Sequence, residues 1–246
     1  MFAIALALSL LIGVALGLFG GGGSILTTPI LIYALGVETK AAIATSLLVV
    51  GVTSVAASVQ HARAGNVVWR TGLIFGAAGM AGAYAGGFVA AWIPANVLMA
   101  LFGVMMLATA VAMFRGRRDT GTGAGHRHPI WRVVAEGLVV GVVTGLVGAG
   151  GGFLVVPALA LLGGLPMQKA VGTSLLVIAL KSLAGYAGHA AHVDIDFQLA
   201  ALVAGSAVVG SLAGGRIATL VPPDALRRAF AGFVFMMGGF VLYQQA

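Results

Sequence analysis

Residues 17–110 recur at 145–238, at a constant offset of 128 and without a gap. The opening of the match is Gly17-Leu-Phe-Gly-Gly-Gly-Gly-Ser-Ile-Leu-Thr-Thr-Pro29 on Gly145-Leu-Val-Gly-Ala-Gly-Gly-Gly-Phe-Leu-Val-Val-Pro157. Further on, Thr45-Ser46-Leu47-Leu48-Val49 falls on Thr173-Ser174-Leu175-Leu176-Val177, His61 on His189, Gly86-Gly87 on Gly214-Gly215 and Pro94 on Pro222. A repeat of this length confines the fold to two copies of one unit. Both copies carry a glycine-broken apolar segment at the same place, which is the arrangement of a transporter.

The medium follows from composition. The chain is 60% hydrophobic and 8% charged, with a mean hydropathy of +1.09. Soluble domains carry about 25% charged residues, so this is an all-α integral membrane protein. Thirty-nine glycines suit helices that pack closely through small residues. The absence of cysteine excludes disulfides, thiolate chemistry and iron–sulfur ligation. Net charge is +7, but the basic residues sit in short loops beside apolar spans, where they set topology rather than bind nucleic acid. Residues 2–18 lack a basic start, and the repeat pairs their end with 139–146. They read as part of the machine and not as a removed leader.

Against a hydrocarbon core of about 30 Å, or ~20 helical residues, the apolar runs are 2–19, 25–36, 40–60, 70–92 and 95–114. The second set is 130–147, 153–164, 168–188, 197–219 and 224–243. The first repeat therefore takes residues 1–114, a polar linker 115–129 and the second repeat 130–246. One question decides the symmetry. If each glycine break makes a single kinked helix, the repeats are parallel; if it makes a hairpin, they are inverted. With the linker arginines (Arg115, Arg117, Arg118, Arg127, Arg132) placed in the cytoplasm, the inverted reading also puts Arg63, Arg70, Lys169, Arg227 and Arg228 inside and only Lys40 outside, ten charges against one. The parallel reading moves Lys169, Arg227 and Arg228 out, seven against four. The positive-inside rule favours the inverted repeat, with both termini and Asp194 and Asp196 extracytoplasmic.

Gly20 to Gly23 and Gly148, Gly150, Gly151 and Gly152 interrupt helices where lipid cannot pair the freed backbone, so protein or a water-filled cavity must. A short helix starting at Ser24 or Phe153 would present its N-terminal amides to the break, which suits an anion. Close helix packing through glycine is the bland alternative. No Gly-Lys-Ser/Thr follows either run, against an ATPase. Pro29 and Pro157 fix the geometry of the short helices. Gly21, Gly22, Gly23, Ser24, Thr45 and Ser46, with Gly150, Gly151, Gly152, Thr173 and Ser174, form the candidate anion site. The Thr-Ser hydroxyls can equally bond their own backbone.

Lys181 sits within an apolar span, seven residues after Ser174 and on the same face. A lysine there costs ~2.5–3.5 kcal/mol on insertion scales and marks a pathway, unless it snorkels; its repeat mate is Thr53. His61 and His189 are either carbonyl caps or a gate or proton relay. Arg216 either snorkels or helps hold an anion. Glu136, a turn and a half into its span, reads as interfacial. His126 and His128 flank Arg127 without further ligands, so no metal site is expected. Trp69, Trp92 and Trp131 fall at span ends, as an aromatic belt would place them. No nucleophile–base set or carboxylate pair appears; the sequence calls for no enzyme chemistry and no cofactor.

With these motifs, the chain resembles the sulfite exporter TauE/SafE family, also grouped as a toluene-sulfonate uptake permease superfamily, over about residues 5–242. The resemblance rests on the glycine turn with its proline (Gly20 to Pro29, Gly148 to Pro157) and the Thr-Ser pair of the next span (Thr45-Ser46, Thr173-Ser174). Ala149 and Gly152 depart from the first copy. The resemblance implies a multi-pass bacterial inner-membrane transporter of sulfite, sulfonates or related sulfur oxyanions. Its partners would be a small anion and the lipid bilayer, with self-association left open. A channel of the same architecture is the competing reading, since glycine breaks also line pores.

Overall fold

The computed structural model describes residues 2–90, 92–116, 129–147, 152–189 and 195–243, and no strand occurs among them. The first half comprises α1 (Phe2–Phe19), α2 (Gly22–Pro29), α3 (Thr39–Arg63), α4 (Trp69–Ala90) and α5 (Ala95–Arg115). The second comprises α6 (Ile130–Val147), α7 (Gly152–Pro157), α8 (Met167–His189), α9 (Phe197–Leu220) and α10 (Pro223–Tyr243). The 128-residue offset carries the starts of α1, α3, α4 and α5 onto those of α6, α8, α9 and α10 to the residue. The match thus extends outward beyond 17–110, through the whole first and last helices. Four stretches, Ala41–Arg63, Met167–Ala187, Phe197–Leu220 and Pro223–Tyr243, are long and apolar enough to cross a bilayer; Leu6–Phe19, Ala100–Arg115 and Gly152–Leu162 are shorter apolar helices.

The first break is a hairpin. Gly20 ends α1, its amide donating to Leu16 O at 2.8 Å and its φ at +71°, a left-handed conformation that glycine adopts without a Cβ penalty. A Cβ on Gly23 would stand 2.6 Å from both Ile12 O and Leu16 Cβ of α1. Residues 12 and 23 would be about 16 Å apart along one continuous helix, so the chain folds back on itself. The short helices begin slightly earlier than the sequence suggested, at Gly22 and Gly152 rather than Ser24 and Phe153.

Each short helix then ends identically. Pro29 and Pro157 lack the amide that would continue the ladder, and π-helical turns follow at Ile30–Ala34 and Ala158–Leu162. The amides of Leu35 and Gly163 reach back five residues, to Ile30 O and Ala158 O at 3.2 and 2.9 Å, and those of Val37 and Leu165 reach six, to Leu31 O and Leu159 O at 2.9 and 3.0 Å. Between them lie Gly36 and Gly164, with φ of +67° and +62°. This is a Schellman-type closure, built twice.

Glycine decides how the halves pack. On α1, Gly13 and Gly17 lie against Ala207 and Ser211 of α9, whose Gly210 and Gly214 lie against Leu10 and Val14. On α6, Gly141 and Gly145 lie against Gly79 and Ala83 of α4, whose Gly82 and Gly86 lie against Leu138 and Val142. A Cβ on any of these eight glycines would overlap a backbone carbonyl of the facing helix. Each helix contributes glycines four apart, the spacing that lets membrane helices approach at backbone distance. The two seams are the same seam under the 128-residue offset.

Residue order along the contacts gives helix direction. Gly13–Ala207 and Gly17–Ser211 advance together, so α1 and α9 run parallel, as do α4 and α6. Gly51 meets Leu183 while Gly185 meets Leu47, so α3 and α8 run antiparallel. Gly103 meets Leu242 while Gly116 meets Arg227, so α5 and α10 do too.

Candidate functional site

The first break and the start of α7 come together. A Cβ on Gly21 would overlap Gly152 O and stand 2.8 Å from Phe153 Cα. Gly20 approaches α8: Ser174 Oγ donates to Val171 O at 2.7 Å and stands 3.4 Å from Gly20 O. Two elements of the second half, α7 and α8, therefore close around the glycines of the first. Gly148, Gly150 and Gly151 lie outside the described residues, as do the side chains of Ser24, Pro29 and His189.

Aromatic rings cover both sides of this junction. Phe102 of α5 meets Phe153 edge-on with centroids 5.3 Å apart. Phe230 of α10, the repeat mate of Phe102, meets Phe19 edge-on at 5.9 Å, and Phe233 stacks on Phe19 at 5.5 Å. Phe102, Phe153 and Phe230 are buried. Each half thus sends an aromatic from its last helix onto the break region of the other. Such pairs add about 0.5–1.5 kcal/mol beyond the area they bury.

The Thr-Ser pairs lie two turns into α3 and α8, too deep to cap their own helices. Thr45, Ser46, Thr173 and Ser174 are all buried. Ser46 Oγ accepts from Thr28 Oγ1 of α2 at 2.9 Å, tying the short helix to the long one. Thr173 Oγ1 accepts from the Val68 amide in the α3–α4 connection at 3.0 Å. Thr173 is thereby engaged in holding a loop, while Ser46 and Ser174 face the break segments.

Lys181 is placed apart from the junction. Its ammonium donates to Thr144 Oγ1 of α6 at 3.1 Å, and Thr144 in turn donates to Gly141 O at 3.0 Å. Gly79 of α4 approaches the lysine stem, where an added Cβ would stand 4.0 Å from Lys181 Cδ. Seven residues along α8 set the two positions about 10 Å apart on the axis, so Lys181 and Ser174 are successive stations on one helix face. Thr144 was not singled out from the sequence. Its repeat mate is Leu16, so the duplication gave no signal.

His61 is buried, and its ring serves another helix rather than its own. Nε2 lies 3.3 Å from Gly17 O, a carbonyl in the last turn of α1. The neighbouring Gln60 donates Nε2 to Leu212 O of α9 at 3.0 Å. Arg216, which begins the next turn of α9, is exposed, and Glu136 is half-buried on α6. Trp69, Trp92 and Trp131 are exposed at helix ends; His126, His128 and most of the linker fall outside the described residues.

A cavity of about 280 Å³ lies elsewhere, at the ends of α8 and α10, lined by Gly164, Pro166, Asp224 and Arg227 among others. Arg227 is ion-paired there with Asp224 at 3.2 Å.

Three comparisons set this geometry among known proteins. The family model described as sulfite exporter TauE/SafE matches residues 5–241. A protein of Xylella fastidiosa strain Temecula1 named "Probable membrane transporter protein" is 35% identical over 245 residues, covering 95% of this chain and 92% of the relative. A similarly named protein of Methanocaldococcus jannaschii is 28% identical, covering 98% and 97%, and one of Bacillus subtilis, YunE, is 30% identical, covering 86% of each. No solved structure matches. The match runs from α1 to α10 and takes in both breaks, both prolines and both Thr-Ser pairs: the chain is a membrane transporter belonging to the sulfite exporter TauE/SafE family.

Proposed function

We propose that this chain is a secondary transporter of small sulfur oxyanions, sulfite or sulfonates, working by alternating access of two inverted halves in a bacterial inner membrane. The observation that carries the reading is the meeting of Gly21 with Gly152 beside Ser174. Segments that interrupt the two halves at equivalent places converge there, which is how transporters of this kind build a single substrate site. Antiparallel packing of α3 on α8 and of α5 on α10 supports inversion, because repeats related by an axis normal to the membrane would keep their mates parallel. Both termini and residues 195–196 would then be extracytoplasmic.

In this reading Gly21, Gly22, Gly23 and Ser24 offer backbone amides to the anion, with Gly150, Gly151 and Gly152 as their counterparts. Ser46 and Ser174 supply hydroxyls, Thr45 and Thr173 steady them, and Lys181 attracts the anion from one station further along α8. The ring pairs Phe19–Phe230 and Phe102–Phe153 beside the junction support an occluded arrangement, and with it a carrier over an open pore. Self-association is not required by the site.

Purified protein in liposomes preloaded with unlabelled sulfite should exchange external labelled sulfite, saturably and in competition with sulfonates but not with simple carboxylates. Conductance without counterflow would instead establish the anion channel.

A further inference from the structure

Five side-chain atoms among the described residues are buried without a hydrogen-bond partner, and four belong to α3: Thr53 Oγ1, Ser54 Oγ, Gln60 Oε1 and His61 Nδ1. Leaving one such group unpaired costs ~1–3 kcal/mol, and native folds keep few of them. The repeat does not require them. At the positions equivalent to Thr53 and Gln60, α8 carries Lys181, which has its Thr144 partner, and Gly188. These four atoms belong to the first half.

Ser54 and His61 lie on one face of α3, and Thr53 and Gln60 flank it. Helix periodicity aligns residues 46, 50, 54, 58 and 61 in one stripe; Ser46, Ser54, Ser58 and His61 are buried on it, with Val50 between Ser46 and Ser54. The stripe begins at Ser46, which Thr28 of the break helix reaches at 2.9 Å, and ends at His61. Fifteen residues of helix span about 22 Å, most of a ~30 Å hydrocarbon core.

The tautomer of His61 follows from its acceptor. Gly17 O can only accept, so Nε2 bears the hydrogen in the 3.3 Å contact and Nδ1 is a bare lone pair, buried and unpartnered. The helices packed around this ring are α1, α8 through Gly172 and α9 through Gly215. Lys169 on α8, Arg216 on α9 and Arg63 on α3 are exposed, and α1 has no charged residue; Lys181, held by Thr144, lies nine residues from Gly172, about 14 Å along α8. Among the described residues no carboxylate on these helices faces the ring, so a proton arriving at Nδ1 would have no counter-charge beside it.

We propose that α3 is the proton path of this transporter: His61 Nδ1 binds the coupling proton, and the Ser and Thr hydroxyls between His61 and Ser46 pass it through a water file when the bundle opens. Polar sites with several unpaired groups are those that take up water, and intramembrane histidines serve as relays. Nδ1 gains one proton from one side and releases it to the other; no other bond forms or breaks. One proton carried with a monovalent anion makes the cycle electroneutral, which removes the opposition of an inside-negative potential to anion uptake. This inference rests on the carrier reading above.

The test separates the two. Proteoliposomes with the membrane potential clamped at zero are assayed with labelled sulfite for counterflow and for accumulation under an imposed pH difference, protein-free liposomes correcting for passive entry of the acid. Wild-type protein should exchange sulfite and accumulate it about tenfold per pH unit, as one-to-one coupling requires. His61→Gln should still exchange label but lose accumulation. Thr53→Val, which removes a buried unpaired hydroxyl without changing shape, should keep the fold and also lose it. Counterflow in the wild type without a pH response, or a wild-type pH response in both variants, overturns the proton path and leaves the carrier standing. No counterflow in the wild type overturns the carrier reading, and this one with it.

Discussion

Lys181 and Thr144 meet at 3.1 Å, the ammonium of α8 donating to a hydroxyl of α6. Their repeat mates are Thr53 and Leu16, so the pair exists in one half only. A hydroxyl can orient an ammonium but cannot neutralise it. The charge persists as a source of positive potential within the bundle, and an anion is what would satisfy it.

Replacing Lys181 with Ala should therefore reduce sulfite exchange by about tenfold or more, equivalent to at least ~1.4 kcal/mol, while the purified protein keeps its elution profile. Lys181→Arg should recover part of the rate, because charge and reach are retained. Unchanged saturation kinetics in Lys181→Ala would remove the residue from the transport path.

Gly20 combines a left-handed backbone with Ser174 and Val171 packed where a side chain would be. Gly36 shares the backbone conformation, with φ of +67° and nothing within 4 Å. Gly36→Ala should cost only the left-handed penalty of ~1–2 kcal/mol. Gly20→Ala should cost more, read as a lower melting temperature in detergent, and should abolish exchange. Equal shifts for the two variants would mean that the approach of α8 to the break contributes nothing.

The two glycine seams invite a matched comparison. Gly13→Ala and Gly141→Ala, at equivalent positions, should destabilise by similar amounts, ~1–3 kcal/mol each if the helices part to admit a methyl. Gly205→Ala on α9, which has open space around it, should be neutral or slightly stabilising through helix propensity. A neutral Gly13→Ala would show that α1 and α9 can separate freely.

Orientation is testable with an impermeant thiol reagent, since the chain has no cysteine of its own. Gln198→Cys and Arg228→Cys, both at exposed positions, should label from opposite sides, the first from outside and the second only after permeabilisation. Labelling of both from the same side would favour parallel halves.

Much of the architecture is legible because glycine and proline act locally. A left-handed turn suits Gly20, and Pro29 and Pro157 each withhold one helical amide whatever surrounds them. The eight seam glycines are visible too, as pairs four residues apart at 13/17, 82/86, 141/145 and 210/214. Their partners are not visible: α1 meets α9 across nearly two hundred residues, and no local rule selects that pairing over α1 with α4. The same limit applies at the site. His61 could be recognised as a capping or relay group, but its acceptor, Gly17 O, lies on another helix. Lys181 stood out as a charge without an acid, whereas Thr144 looked like any threonine in an apolar span.

The seams also bear on how the protein is made. Gly13 and Gly17 open a groove on α1 that only the backbone near Ala207 and Ser211 fills. A chain entering the membrane from its N-terminus must hold that groove against lipid until almost all of the second half has been synthesised. The last stages of biogenesis are then an insertion of α9 beside α1, already in the bilayer, and neither half can finish folding as a separate unit.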